Sequence, residues 1–273
     1  MRETVMMADL SWTRFAEKVS ENATVFIPVG ATEQHGPYMG LGVDVIIPTA
    51  ICEGVARNVS GLVAPAIPYG SKSQPRTGGG QAFPGTISLD LHTLTLVVRD
   101  VIIGLGRSGI RRIVILCGHF ENVWPCIEAI DLALRDLLRD GIDGITVLRL
   151  KLRDPVRGET HDRLFPDGFP GTKLEHAALL ETSMILKLRP DIVDMSKVPS
   201  NGPAQFPAYD RYPKVAGYLP PSGVLAPAER ATAEQGQWLL DDHIEQVTKA
   251  VREGFTELLS ENRKDPHDVR HAR

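Results

Sequence analysis

Apolar residues recur along the chain in two rhythms. Short β-branched and aliphatic runs at Thr24–Val29, 62–67, 112–116 and 146–150 read as buried strands. Longer segments between them repeat their apolar positions every three or four residues and read as helices. The first covers 10–19, with Ser11 as N-cap and Trp12 and Phe15 on one face. The second runs over 48–59 and starts on a proline, which a first turn tolerates. The third, 91–105, buries Leu94, Val97, Val98, Val101 and Leu105. Others are expected over 127–138, from Leu174-Glu175-His176 to about Lys187, and over 228–258. Strands alternating with helices predict an α/β fold, a three-layer sandwich whose mainly parallel sheet has helices on both faces and right-handed crossovers.

Segments without a period lie between these elements. Residues 68–88 hold Gly78-Gly79-Gly80 and Phe83-Pro84-Gly85-Thr86; a loop of this length is commonly functional, and consecutive glycines let backbone approach a ligand. Residues 153–171 read as a polar loop or lid. The proline-rich stretch 199–227 excludes helix and central strand, and is expected to wrap over the surface or reach a neighbouring subunit. The tail 261–273 is charged and reads as frayed. No repeat or linker divides the chain, so 1–273 reads as one domain.

Composition narrows the function. With 42% hydrophobic and 23% charged residues the chain is ordinary for a globular protein. A net charge of −4 points away from nucleic acid and membrane surfaces. No apolar run approaches the roughly 18 residues of a membrane span. Met1-Arg2-Glu3-Thr4-Val5 carries acid early and lacks a signal-peptide core, and Cys52, Cys117 and Cys126 form no CxxC pair, so a cytoplasmic protein is expected.

The chemistry gathers after two buried runs. Thr24–Val29 leads into Glu33, His35 and, further on, Asp44; the run ending at Leu116 leads into Gly118, His119, Phe120 and Glu121. In a parallel sheet such loops lie at the carboxyl ends of strands, where ligands bind. Imidazoles and carboxylates together suit zinc or manganese. Each pair alone could be a solvated loop; two similar strand-end pairs in one chain argue for a shared site.

Glu33-Gln34-His35-Gly36 with Asp44, Gly118-His119-Phe120-Glu121-Asn122, Glu175-His176 and Glu181-Thr182-Ser183 resemble the creatininase family. The likeness extends to Lys72-Ser73-Gln74, Gly78-Gly79-Gly80, Phe83-Pro84-Gly85-Thr86 and Phe206-Pro207-Ala208-Tyr209-Asp210. The resemblance implies two divalent metal ions, zinc or manganese. Glu33 and His119 would hold one, His35 and Glu121 the other, and Asp44 would bridge them. A metal-bound hydroxide would then attack a carbonyl and open a small ring. Because the imidazoles must be neutral to bind, activity should fall in acid. Glu175 and His176 would move protons as catalytic groups, unless Glu175 only caps its helix. Glu181 would steady a ligand. Thr77 and Gly78 would line the substrate pocket. The family implies a homo-oligomer, usually a hexamer.

The substrate wall departs from the family's creatinine-opening pattern. Leu152 and Thr172 stand at the positions aligned with its ring-holding tryptophans, Lys173 replaces an acid and Phe120 a tyrosine. Two small cyclic substrates therefore compete: a creatinine-like cyclic amide, and a cyclic diketone such as a keto-inositol, opened by carbon–carbon hydrolysis. Thr172, Lys173, Arg153 and Gln81 would serve a polyhydroxylated ring as donors. A non-catalytic metal-binding protein is the remaining reading.

Overall fold

The computed structural model describes residues 4–152, 158–213, 217 and 219–261. Arg153 and the tail beyond Glu261 lie outside the described residues. Among the described residues four strands form one parallel sheet: β1 (Thr24–Val29), β2 (Leu62–Val63), β3 (Arg112–Cys117) and β4 (Thr146–Lys151), in the order β2-β1-β3-β4. Among the described residues seven α-helices accompany it: α1 (Trp12–Ser20), α2 (Val43–Asn58), α3 (Leu91–Arg107), α4 (Val123–Arg139), α5 (Gly158–Leu164), α6 (Leu179–Leu188) and α7 (Ala233–Glu261).

Side chains alternate across each strand, and both faces are covered. Val25, Ile27 and Val29 of β1, with Ile113 and Ile115 of β3, pack under α3 and α4. Phe26, Val114 and Leu116 face α2, α6 and α7. This double burial is why the strands read as unbroken apolar runs. The β1–β3 register runs from Thr24 opposite Arg112 to Val29 opposite Cys117. Both strands thus end level, and the loops that follow them leave the sheet side by side. Asn122 ties the two exits together: its amide donates to Val29 O and Gly30 O, while its oxygen accepts from Ser71 N.

Several boundaries differ from the sequence reading. Helix α2 begins at Val43, so Pro48 lies inside it and Asp44 sits in its first turn. Pro48 has no N–H to give the Asp44 carbonyl one turn earlier. That carbonyl is pressed between the two strand exits: a Cβ on Gly30 or Gly118 would stand 2.4 or 2.2 Å from its oxygen. Strand β2 is cut to Leu62–Val63 because Pro65 offers no ladder donor, although Ile67 still donates to Pro28 O at 2.9 Å. Ser11 caps α1 as expected, but Trp12 is 82% exposed. On α3, Ile102 and Ile103 are buried in place of Val97. The expected lid contains α5, whose His161 and the following Phe165 and Phe169 stack together. Helix α6 starts at Leu179, after Glu175 and His176, because Ala177 adopts a left-handed conformation with φ of 51°. The proline-rich stretch is not confined to the surface: Val224, Leu225 and Ala226 are buried, and Leu225 donates to His176 O.

Candidate metal centre

Four segments converge at the carboxyl end of β1 and β3. The loop after β1 brings Glu33 and His35, the first turn of α2 brings Asp44, the loop after β3 brings His119 and Glu121, and α6 brings Glu181. All are buried. Glu33, Asp44 and His119 offer ligand atoms that lie within 4.8 Å of one another; His35, His176 and Glu181 form a second such group. His119 Nδ1 lies 3.1 Å from Glu33 Oε2 and 3.2 Å from Asp44 Oδ2. The other Asp44 oxygen, Oδ1, lies 3.5 Å from His35 Nε2, which is also 3.6 Å from Glu181 Oε2. One carboxylate therefore looks into both groups.

The hydrogen bonds at the rear of each ring decide which nitrogen is free. His35 Nδ1 lies 3.1 Å from the Glu33 carbonyl and donates to it, leaving the Nε2 lone pair aimed at Asp44 and Glu181. His119 Nε2 lies 3.0 Å from Ser71 O, so Nδ1 is the nitrogen that faces Glu33 and Asp44. Such rear contacts orient metal-binding imidazoles. Glu33 Oε2, Asp44 Oδ2 and His35 Nε2 are buried atoms with no hydrogen-bond partner among the described residues. Buried polar atoms are rarely left so. Carboxylate oxygens and imidazole nitrogens that converge in this way are a cation's donor set once the ring protons are displaced, and the residues fit divalent ions.

Charge coupling within the cluster is strong. Burial disfavours the Glu33 carboxylate, but His119 and His176 outweigh it and hold its pKa at about 2. Burial also opposes the Asp44 anion, and His35 and His119 bring its pKa far below the carboxylate range. Against its burial, His35 is pushed up to about 9 by Asp44, Glu181 and Glu33. His119 is raised likewise by Glu33 and Glu121 despite burial. His176 moves the other way, lowered by burial.

The pairing of ligands differs from the expected one. Glu121 Oε2 lies 3.2 Å from His119 Nε2, not beside His35. Its Oε1 accepts from Gln74 N at 3.0 Å and from the Thr77 hydroxyl. The carboxylate beside His35 is Glu181, whose Oε2 also accepts from Ala177 N. Glu175 is wholly buried and does not line the cleft; its Oε2 accepts from Leu180 N at 3.1 Å and so caps α6. Thr77, Gly78, Phe120, Thr172, Lys173 and His176 line the cleft above the cluster. Leu152 lines an apolar recess next to it, shared with Phe120 and Thr172. Gln81 is exposed and bonded to Ser88.

Two groups at the site entered the sequence reading only as motif letters, with no role assigned. Ser73 donates to Glu33 Oε1 from the glycine-rich loop. Gln34 reaches Gly78, His176 and Gly223, far apart in sequence, so only the fold reveals its role.

A family model described as creatininase, creatinine amidohydrolase, matches residues 8–251. A creatinine amidohydrolase of Pseudomonas putida is 42% identical over 257 residues, covering 93% of this chain and 99% of that protein. A 3-dehydro-scyllo-inosose hydrolase of Thermotoga maritima is 24% identical over 291 residues, covering 96% of this chain and 90% of its own. A solved manganese form of creatininase matches with a TM-score of 0.90 at 42% identity, covering 93% of this chain and 99% of that one. A zinc–zinc type of a mutant creatininase matches with a TM-score of 0.91 at 41% identity and the same coverage.

Proposed function

The chain belongs to the creatininase family and is a metal-dependent hydrolase, and from that premise we propose that it opens a small cyclic amide of the creatinine type at a two-ion site. The observation that carries this reading is Asp44, whose two oxygens face different nitrogens, His119 Nδ1 and His35 Nε2. Glu33, Asp44 and His119 would hold one ion, and His35, Asp44 and Glu181 the other. Bound there, two zinc or manganese ions supply Lewis acidity and a water acidified towards neutrality.

The chain's own groups do the rest. Glu121 is pinned by Gln74 N–H and the Thr77 hydroxyl at the floor of the cleft, where it takes the proton of the attacking water and returns it to the leaving nitrogen. Thr77, Gly78, Phe120, Thr172 and Lys173 position the ring, with Leu152 behind them. His176 faces the ring from beside His35. Glu175 is a positioning residue: by capping α6 it fixes the helix that carries Glu181.

A second substrate is favoured by one feature of the rim. Thr172 and Lys173 are polar donors where a flat guanidine-like ring would be served by an aromatic face. They suit the hydroxyls of a cyclic diketone derived from an inositol. Purified protein loaded with manganese or zinc decides between them. Creatinine opening at roughly 1–1000 per second supports the amide reading. Turnover of 3-dehydro-scyllo-inosose alone replaces it.

The chain is further read as one hydrolase domain working as a cytoplasmic homohexamer. Three buried free cysteines suit a reducing compartment. Among the described residues no helix is long and apolar enough to cross a membrane. Phe120, Trp124 and Ile127 form an exposed apolar row, one residue per helical turn, that suits a subunit contact. Light scattering on the purified protein tests the hexamer.

A further inference from the structure

Gln34 stands between two candidate ligands, yet its amide has no charge to offer an ion. It is 5% exposed. Its Oε1 accepts the Gly36 N–H at 2.9 Å. Its Nε2 faces two carbonyls, Gly78 O at 3.0 Å and Gly223 O at 3.1 Å. An amide oxygen must meet the N–H and the amide nitrogen must meet the carbonyls, so only one orientation satisfies the surroundings. The same Nε2 lies 2.9 Å from His176 Nε2.

An amide nitrogen can donate but not accept. Its two hydrogens are shared among three neighbours, Gly78 O, Gly223 O and His176 Nε2, so a hydrogen on His176 Nε2 would meet no acceptor there. The lone pair must be there instead, and the proton of the neutral ring is on Nδ1. That atom lies 4.0 Å from Glu33 Oε2, on the metal side of the ring. The arrangement is crowded by design of the backbone: a Cβ on Gly78 would stand 2.7 Å from His176 Nε2, and one on Gly223 would stand 2.3 Å from Gln34 Oε1. Glycine at these positions lets two loops close on the amide.

We infer that Gln34 locks His176 in its Nδ1–H tautomer, so that His176 donates a hydrogen bond to the oxygen that becomes negative during ring opening and does not bind the second ion. The nature of that oxygen rests on the proposed function; the tautomer does not. A ring nitrogen carrying a hydrogen cannot ligate a cation, so His176 is set apart from His35 and Glu181 although it lies close to both. Gln34 is the positioning residue and His176 the group that touches substrate.

Nitrogen NMR of the full chain labelled with 15N-histidine tests this, with His176→Gln used to assign the ring. In metal-free protein at mildly alkaline pH, the expected pattern is a protonated Nδ1 and an unprotonated Nε2, unchanged when cadmium fills the site. A protonated Nε2, a doubly protonated ring, or cadmium coupling at His176 Nδ1 overturns the inference. Gln34→Glu supplies an acceptor in place of the donor. It should move the proton to Nε2 or protonate both nitrogens, keep the metal content, and lower kcat on the order of 100-fold with little change in KM. Retention of the Nδ1–H pattern in Gln34→Glu also overturns it. If that variant does not fold, the wild-type spectra decide alone. An Nδ1–H ring in a protein that turns over neither candidate ring leaves the tautomer standing and removes only the reaction reading.

Discussion

Arg76 and Asp210 form a two-point ion pair, with Nε 3.0 Å from Oδ1 and Nη2 3.2 Å from Oδ2. Arg76 also donates to Pro207 O, so the glycine-rich loop is fastened to the proline-rich stretch. Two residues before Arg76, Gln74 N holds Glu121, and one residue after it the Thr77 hydroxyl does the same. Arg76→Met and Asp210→Asn should each lower kcat by on the order of tenfold through a displaced Glu121. Metal content should not change. The double variant should be no worse than either single one, because the two side chains act as a unit. Steady-state kinetics with metal analysis checks this, and additive losses would separate the pair from Glu121.

Asp44 should matter more to the ions than any other ligand. Asp44→Asn replaces one oxygen with a donor that would face His35 or His119. Both ions should be lost, whereas Glu33→Gln should chiefly lose one and His35→Gln chiefly the other. Elemental analysis of the three variants distinguishes a bridging carboxylate from a terminal one.

Metal loading should reverse the pH dependence of stability. In the metal-free protein His35 titrates at about 9, above its ordinary 6.5. Its stabilising contribution is complete below pH 6.5 and disappears as pH rises through about 9. Glu33, held at about 2 instead of 4.5, contributes above pH 4.5 and loses that contribution as pH falls through about 2. These two groups therefore place the metal-free optimum between 4.5 and 6.5. An ion must displace the His35 proton, so loading should strengthen about tenfold per pH unit for each proton released, up to about 9. Melting curves of stripped and loaded protein across this range give the two opposite trends. Calorimetry in buffers of different ionisation enthalpy counts the protons.

Gly30 and Gly118 should resist substitution by alanine. The added methyl would collide with the Asp44 carbonyl from either strand exit. A cost of about 1–3 kcal/mol is expected from overpacking, with weaker metal binding as Asp44 is pushed aside. Gly104→Ala is the control, since nothing lies within 4 Å of the new methyl. Chemical denaturation of the stripped proteins measures the difference.

The sheet and the convergence of Glu33, His35, Asp44, His119 and Glu121 were legible because strand burial and strand-end chemistry are local patterns. The start of α2 was not: Pro48 looks like a first-turn residue, and only the packing of Asp44 between two glycines explains a proline one turn inside. Glu181 was read as a supporting group because its position depends on the left-handed turn at Ala177, a conformation that alanine does not announce. Gln34 was legible only as a letter of the Glu33-Gln34-His35-Gly36 motif, with no role attached to it. Its partners lie 44, 142 and 189 residues away, and an uncharged amide between two ligands looks like filler.

The level ending of β1 and β3, with the Asp44 carbonyl wedged at their tips, separates the tooling of this enzyme from its chassis. Backbone geometry sets the spacing of the candidate ion-holding groups, while the cleft rim, Phe120 apart, is drawn from other stretches of chain. On the proposed reading, exchanges at Leu152, Thr172 or Lys173 should change which ring the cleft admits while the candidate metal ligands stay where they are.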